Sequence, residues 1–141
     1  MAVKAKELRY GVELEAGGTL RTEDGSAFGA ADGWSPEHLL LAALVECSLK
    51  SLRYHADRAN VVVTAASGTA NSLVTKREGD GRYAIVSVEV SLDVALEPQP
   101  AADDLVALLV KSERDCFIGA SLRVEPSYRW TVGGTAVDIG R

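Results

Sequence analysis

One stretch limits this chain more than any other: Ser35-Pro36-Glu37-His38-Leu39-Leu40-Leu41-Ala42-Ala43-Leu44-Val45-Glu46-Cys47. Ser35 is a residue type that caps helices, Pro36 suits a first helical position, and Glu37 favours the positive end of the helix dipole. The helix begun there is predicted to run to about Ala59, with Asn60 as its C-terminal cap. Its first half, LLLAALVECSL, is apolar nearly all round, whereas its second half, KSLRYHADRAN, is amphipathic. A helix of the first kind cannot lie on one sheet with its back in water. It needs cover on a second side, and a second copy of the chain is the simplest cover, because the bare surface would exceed what soluble monomers expose.

Around this helix the chain reads as strands. Residues 7–16 and 19–23 are expected to form strands joined at Gly17-Gly18, and Asp24-Gly25 a second turn. Residues 26–33 (SAFGAADG) are expected to be a loop. After the helix come strands over 61–76 and 82–96, joined by the charged turn Arg77-Glu78-Gly79-Asp80-Gly81. The second of them alternates apolar and polar residues from Ser87 to Val94. Residues 101–114 are predicted to be a second helix with Leu105, Leu108 and Leu109 on one side. Final strands are predicted over 122–132, where Pro126 forces an edge or bulge, and over 135–139. The order β-β-α-β-β-α-β-β puts strands in hairpins between helices, so the fold class is α+β and not a doubly wound parallel sheet. With 141 residues, no repeat and no Pro/Gly/Ser-rich linker, the chain is expected to be one domain, 1–141.

Composition narrows the function. Fifteen basic against twenty acidic residues leave a net charge of −5. That balance argues against nucleic acid, whose binding needs clustered Lys and Arg, and against anionic membrane surfaces. The longest apolar run, Leu39 to Val45, is far short of the roughly twenty residues that span a bilayer. MAVKAKELRYGVEL has neither an apolar stretch of signal length nor a small-residue cleavage site, so a cytoplasmic setting is expected. A four-ligand zinc site would need both Cys and both His, and their spacings fit no common zinc module, so no metal site is expected.

The remaining chemistry lies with Cys47 and Cys116. A buried free cysteine is commonly just a small hydrophobe, and Cys47 lies in the most apolar part of its helix. Cys116 follows the second helix directly, an ordinary helix-terminus position. Two cysteines near helices in a reducing compartment also suit a nucleophile and a resolving thiol. His38 and His55 lack metal-pair spacing, and His55 is about 12 Å along the helix from Cys47, too far for a dyad on one helix. Glu46, on an apolar helix, needs a partner or an exposed edge. Phe28 and Trp34 flank the helix start, as core or as the mouth of an apolar pocket.

Ser35 to Cys47, with Pro-Glu opening an apolar helix and Cys ten residues past the Glu, resembles the proline-led helix of the OsmC/Ohr family, the osmotically inducible and organic hydroperoxide resistance proteins. Glu113-Arg114-Asp115-Cys116-Phe117-Ile118-Gly119-Ala120-Ser121-Leu122 resembles that family's second cysteine segment. The likeness of element order covers roughly residues 5–132. It implies an intertwined homodimer with long helices packed between antiparallel sheets. It also implies a thiol-dependent peroxidase acting on organic hydroperoxides, with no cofactor and an external dithiol reductant. By the resemblance Cys47 is peroxidatic, Cys116 resolving and Glu37 the active-site carboxylate. Glu37 is about 15 Å from Cys47 along the helix and on another side of it, so it would serve a thiolate from the other protomer. Its other reading is a helix-dipole partner.

The family also carries an arginine in its first hairpin, and spacing back from Asp24-Gly25 puts that position near Glu15 or Ala16. Arg21 is the nearest arginine and Arg9 the next, while Lys50 and Arg114 flank the two cysteines. A cation has physical work there, since the thiolate is the nucleophile and burial opposes its ionisation. The alternative function is a non-catalytic dimer of the same fold that binds a small hydrophobic ligand or senses redox state.

Overall fold

A computed structural model describes residues 3, 5–29 and 33–140, in two compact units, Met1–Pro36 and Glu37–Arg141. The first unit is a three-stranded antiparallel sheet in the order β1 (Val12–Leu14), β2 (Thr19–Thr22), β3 (Ala27–Gly29). The Gly17-Gly18 turn closes the first hairpin: Gly18 takes φ 91° and donates to the Glu15 carbonyl at 2.9 Å, and Glu15 donates to Thr19 at 2.9 Å. Among the described residues, only Val12–Leu14 of the expected first strand finds a ladder partner.

β3 corrects the expectation of a loop over 26–33, whose residues 30–32 lie outside the described residues. The Asp24-Gly25 turn folds this segment back on β2, pairing Leu20 with Phe28 and Arg21 with Ala27. The Thr22 and Asp24 side chains bond each other, and both receive the Ser26 N–H. At three residues, with alanine and glycine flanking Phe28, such a strand is too short to show an alternating pattern, and its partner strand defines it.

The second unit holds α1 (Pro36–Arg58), β4 (Val62–Lys76), β5 (Tyr83–Glu97), α2 (Ala102–Arg114), α3 (Phe117–Ser121), β6 (Ser127–Val132) and β7 (Thr135–Val137). α1 stops where Asn60 adopts φ 58°. Val61 donates back to Ala56 at 2.8 Å and Asn60 to Asp57 at 3.1 Å, which satisfies the last carbonyls. The β4–β5 hairpin turns on Arg77, whose guanidinium grips Asp80 at 2.6 and 3.2 Å. The sheet order is β4-β5-β6-β7, and the β5–β6 pairing is parallel because α2 and α3 form a crossover between them.

The fold class is therefore α+β, with two elements beyond the expected order, β3 and α3. α3 is only one turn long, too short for a periodic signal. The expected strand over 122–132 begins only at Ser127, just after Pro126, which has no N–H for the ladder. The last strand ends at Val137, short of 139.

One face of β5 makes the floor of the core: Val88, Val90, Leu92, Val94 and Leu96 are buried, while Ser87, Glu89, Ser91 and Asp93 point to solvent. Leu44, Leu49, Leu52 and Ala56 of α1 and Leu105, Leu108 and Leu109 of α2 complete the same cluster. Gly68 of β4 is required here. A Cβ on it would come 2.6 Å from Leu92 Cδ2, 3.0 Å from the Ser91 carbonyl and 3.3 Å from Val45 Cγ1. Leu39, Leu40 and Leu41, at the start of α1, are only half-covered within the protomer. No helix among the described residues is long and apolar enough to cross a membrane.

Candidate functional site

Cys47 lies beside the buried stripe of α1 formed by Leu44, Ser48, Ser51 and Leu52, and is half-buried. Cys116 is fully buried at the N-cap of α3. Both are free thiols, and Cys116 is near enough to Cys47 to disfavour its ionisation. The opening turn of α3 has N–H groups with no partner inside the helix, and it spends them on sulfur. Ile118 donates to Cys47 Sγ at 3.5 Å and Gly119 to Cys116 Sγ at 3.4 Å. α3, invisible in the sequence, is thus the element that seats the two thiols together.

Burial pushes the Cys47 thiol above its ordinary pKa. The Ile118 N–H opposes the rise, the neighbouring Cys116 adds to it, and the Phe117 N–H again opposes it. No basic side chain is among the groups that act most strongly on Cys47. Lys50 is exposed, and Arg114 is committed elsewhere, its Nε and Nη2 forking onto Asp115 at 2.9 Å each. In the first unit, Arg9 pairs with Glu7 at 2.8 Å, and Arg21 pairs through Nε with Glu15. Glu37 is exposed at the second position of α1, and Glu46 takes the exposed edge that its charge demands. Phe28 and Trp34 are each about half exposed.

Two polar residues that the sequence reading passed over, Ser48 and Tyr128, lie beside the pair. Ser48, 1% exposed, donates to the Leu44 carbonyl at 2.8 Å and lies 3.0 Å from Tyr128 Oη and 3.7 Å from Cys116 Sγ. Tyr128 stacks on the buried Trp130, ring centroids 6.2 Å apart. His55 Nε2 meets Asp115 Oδ2 at 2.7 Å, tying the end of α1 to the residue before Cys116. The Arg114 fork, helped by His55, holds the Asp115 carboxyl at about 2. A cleft of about 550 Å³ bordered by His55, Arg58, Asp104 and Lys111 includes neither cysteine. No group of three or more potential metal ligands occurs among the described residues.

Fold and site together define a class: an α+β protein carrying a dithiol between a long helix and the cap of a short one. The chain belongs to the OsmC-like protein family, which matches it over residues 29–131. An OsmC-like protein from Mycoplasma pneumoniae superposes with a TM-score of 0.70 at 13% identity, covering 92% of this chain and 99% of that one. An OsmC-like protein from Vibrio cholerae gives 0.68 at 18%, covering 79% and 82%. An organic hydroperoxide resistance protein from Elizabethkingia anophelis gives 0.62 at 20%, covering 92% and 98%. At these identities the likeness is one of fold. Comparison with curated protein sequences finds no match.

Proposed function

We propose that the protein is a thiol-dependent peroxidase that reduces organic hydroperoxides, with Cys47 peroxidatic and Cys116 resolving. The observation that carries this reading is the pair of adjacent free thiols, one half-buried and one sealed, each bonded by an N–H of α3. The Cys47 thiolate attacks a peroxide oxygen, the O–O bond breaks, an alcohol leaves and Cys47 becomes a sulfenic acid. Cys116 attacks that sulfur, water leaves, and an intrachain disulfide forms. An external dithiol restores both thiols, a cycle suited to a reducing, cytoplasmic setting and requiring no resident cofactor.

Only the thiolate attacks, and burial holds Cys47 toward the thiol, so a cation must tip the balance. We assign that role to Arg21. Its guanidinium meets Glu15, the part of the hairpin where the resemblance expects an arginine. Glu37 is too far along α1 to act on its own Cys47, so its assignment as the active-site carboxylate goes with a homodimer in which it serves the partner's thiol.

Consumption of cumene hydroperoxide in the presence of dithiothreitol tests the reading. Cys47→Ser should abolish turnover. Cys116→Ser should keep the first turnover and then stall with Cys47 as sulfenic or sulfinic acid. The second reading, a non-catalytic redox sensor or hydrophobic-ligand binder, is favoured by the raised pKa of Cys47. It would take over if the wild type consumed no more peroxide than buffer.

A further inference from the structure

We propose that Ser48 and Tyr128 form a buried hydroxyl relay that stabilises Cys116 as it turns from thiol to nucleophile, making Ser48 a catalytic residue of the resolving step and Tyr128 its positioning residue. The proposal deepens the peroxidase reading, on which it rests only for the identity of the oxidant.

Ser48 is among the few polar side chains buried in the core, and it touches two acceptors, the Leu44 carbonyl and Cys116 Sγ, besides the Tyr128 phenol. Its one hydrogen can serve only one of them. With Cys116 a neutral thiol, that hydrogen goes to the Leu44 carbonyl at 2.8 Å. As charge builds on Cys116 Sγ, 3.7 Å away, rotation about the Cβ–Oγ bond turns the same hydrogen to sulfur. The Tyr128 phenol, 3.0 Å from Ser48 Oγ, donates to that oxygen throughout, so the serine hydrogen stays free to choose. Burial raises the Tyr128 pKa far above its ordinary range, which keeps the phenol a donor, although the Ser48 bond pulls the other way. The stacked Trp130 holds the ring in place, its planes 12° from parallel. Gly119 N–H supplies the second donor to the sulfur at 3.4 Å. Cys116 thus has fixed donors in a site sealed from water, where dipoles count most.

The step balances. Cys116 sulfur donates an electron pair to the sulfenyl sulfur of Cys47, and the S–S bond forms as the S–O bond breaks. The leaving hydroxide takes the proton of the Cys116 thiol and departs as water. The hydroxyl relay changes the direction of its hydrogen bonds and exchanges no net proton.

The test separates the first event at Cys47 from closure by Cys116, using two oxidants on the full chain and rapid alkylation followed by mass spectrometry. Cumene hydroperoxide forms the sulfenic acid. Diamide adds its N=N bond to the Cys47 thiolate, and Cys116 then expels the hydrazine. Ser48→Ala should slow closure about tenfold to a hundredfold in both arms, the cost of one bond to a charged group, with the first event unchanged. Dimedone should trap the accumulating sulfenic acid in the peroxide arm. Ser48→Thr, which keeps the hydroxyl, should recover most of the closure rate, and Tyr128→Phe should slow closure by a smaller factor. If Ser48→Ala fails to fold, Tyr128→Phe, which keeps the ring stack, carries the test. Closure at the wild-type rate in the folded hydroxyl-deleted variants overturns the relay, and so does equal slowing of both events. A wild type inert to the hydroperoxide but closed by diamide removes the peroxidase reading, while slowing in the diamide arm still supports the relay. No closure with either oxidant overturns both.

Discussion

Cys47 answers to two opposed demands. It must be buried enough to meet Cys116, and burial favours the form that cannot attack. Two N–H groups of α3 offset part of that cost, and under the proposed peroxidase chemistry a full charge has to supply the rest. If Arg21 supplies that charge, as proposed, Arg21→Ala should raise the Cys47 pKa and slow hydroperoxide turnover about tenfold to a hundredfold, the range for losing a bond to a charged group. Thiolate absorbance across a pH titration reads the first effect and steady-state assay the second. Unchanged turnover would take Arg21 out of the mechanism. Asp115 titrates in the opposite sense. Its folded pKa of about 2 is depressed, first by Arg114 and also by His55. Its contribution to stability is fully present above the unfolded value of about 3.9 and is lost as pH falls through about 2. The stability gap between wild type and Asp115→Asn should close across that acid window when unfolding is followed by circular dichroism.

Among the elements, the hairpin and the helix end impose the narrowest tolerances. Gly68 faces Leu92 across the β4–β5 ladder, and an added methyl would also press on the Ser91 carbonyl and on Val45. Gly68→Ala should destabilise by about 1–3 kcal/mol, the usual cost of overpacking, as read from urea unfolding. Gly79→Ala is the matched control: its added Cβ meets nothing within 4 Å, and it should stay within about 0.5 kcal/mol of wild type. Asn60 holds φ 58° at the end of α1. Asn60→Ala should cost about 1 kcal/mol or more, and Asn60→Gly should restore it, because glycine lacks the Cβ that penalises this conformation. Both changes lie away from the thiols, so peroxide kinetics should follow the folded fraction alone.

For the whole molecule, the exposed apolar side chains argue for association. Among the described residues the first unit contributes none to the buried core, yet it exposes Leu8, Tyr10, Val12 and Leu14, each at 50% or more. In the second unit Leu73 and Tyr83 are exposed at 55% and 72% near the far end of the long hairpin, and Leu39–Leu41 are half-covered. A small sheet with no core of its own is marginal in water. We expect a homodimer at micromolar concentration in sedimentation velocity, with Leu40→Asp shifting it toward monomer. A wild-type monomer at that concentration would remove the homodimer, and with it any role for Glu37 across a subunit boundary.

The start, length and cap of α1 were legible in the residues because capping and the apolar stripe are decided within a turn or two of chain. The alternation of β5 and the apolar side of α2 were legible for the same reason. The two cysteines could be singled out by their resemblance to a known pattern, and helix geometry alone excluded Glu37 from its own Cys47. β3 and α3 were not legible: one is three residues long and defined only by its partner strand, the other is a single turn. The parallel β5–β6 pairing became visible only with the crossover in place. Ser48 and Tyr128 are 80 residues apart, and His55 and Asp115 are 60 apart. Local physics writes helices and strands into neighbouring residues. A hydrogen bond between distant side chains exists only after the sheet has brought their elements together, so the surroundings of the thiols were decided by the tertiary structure.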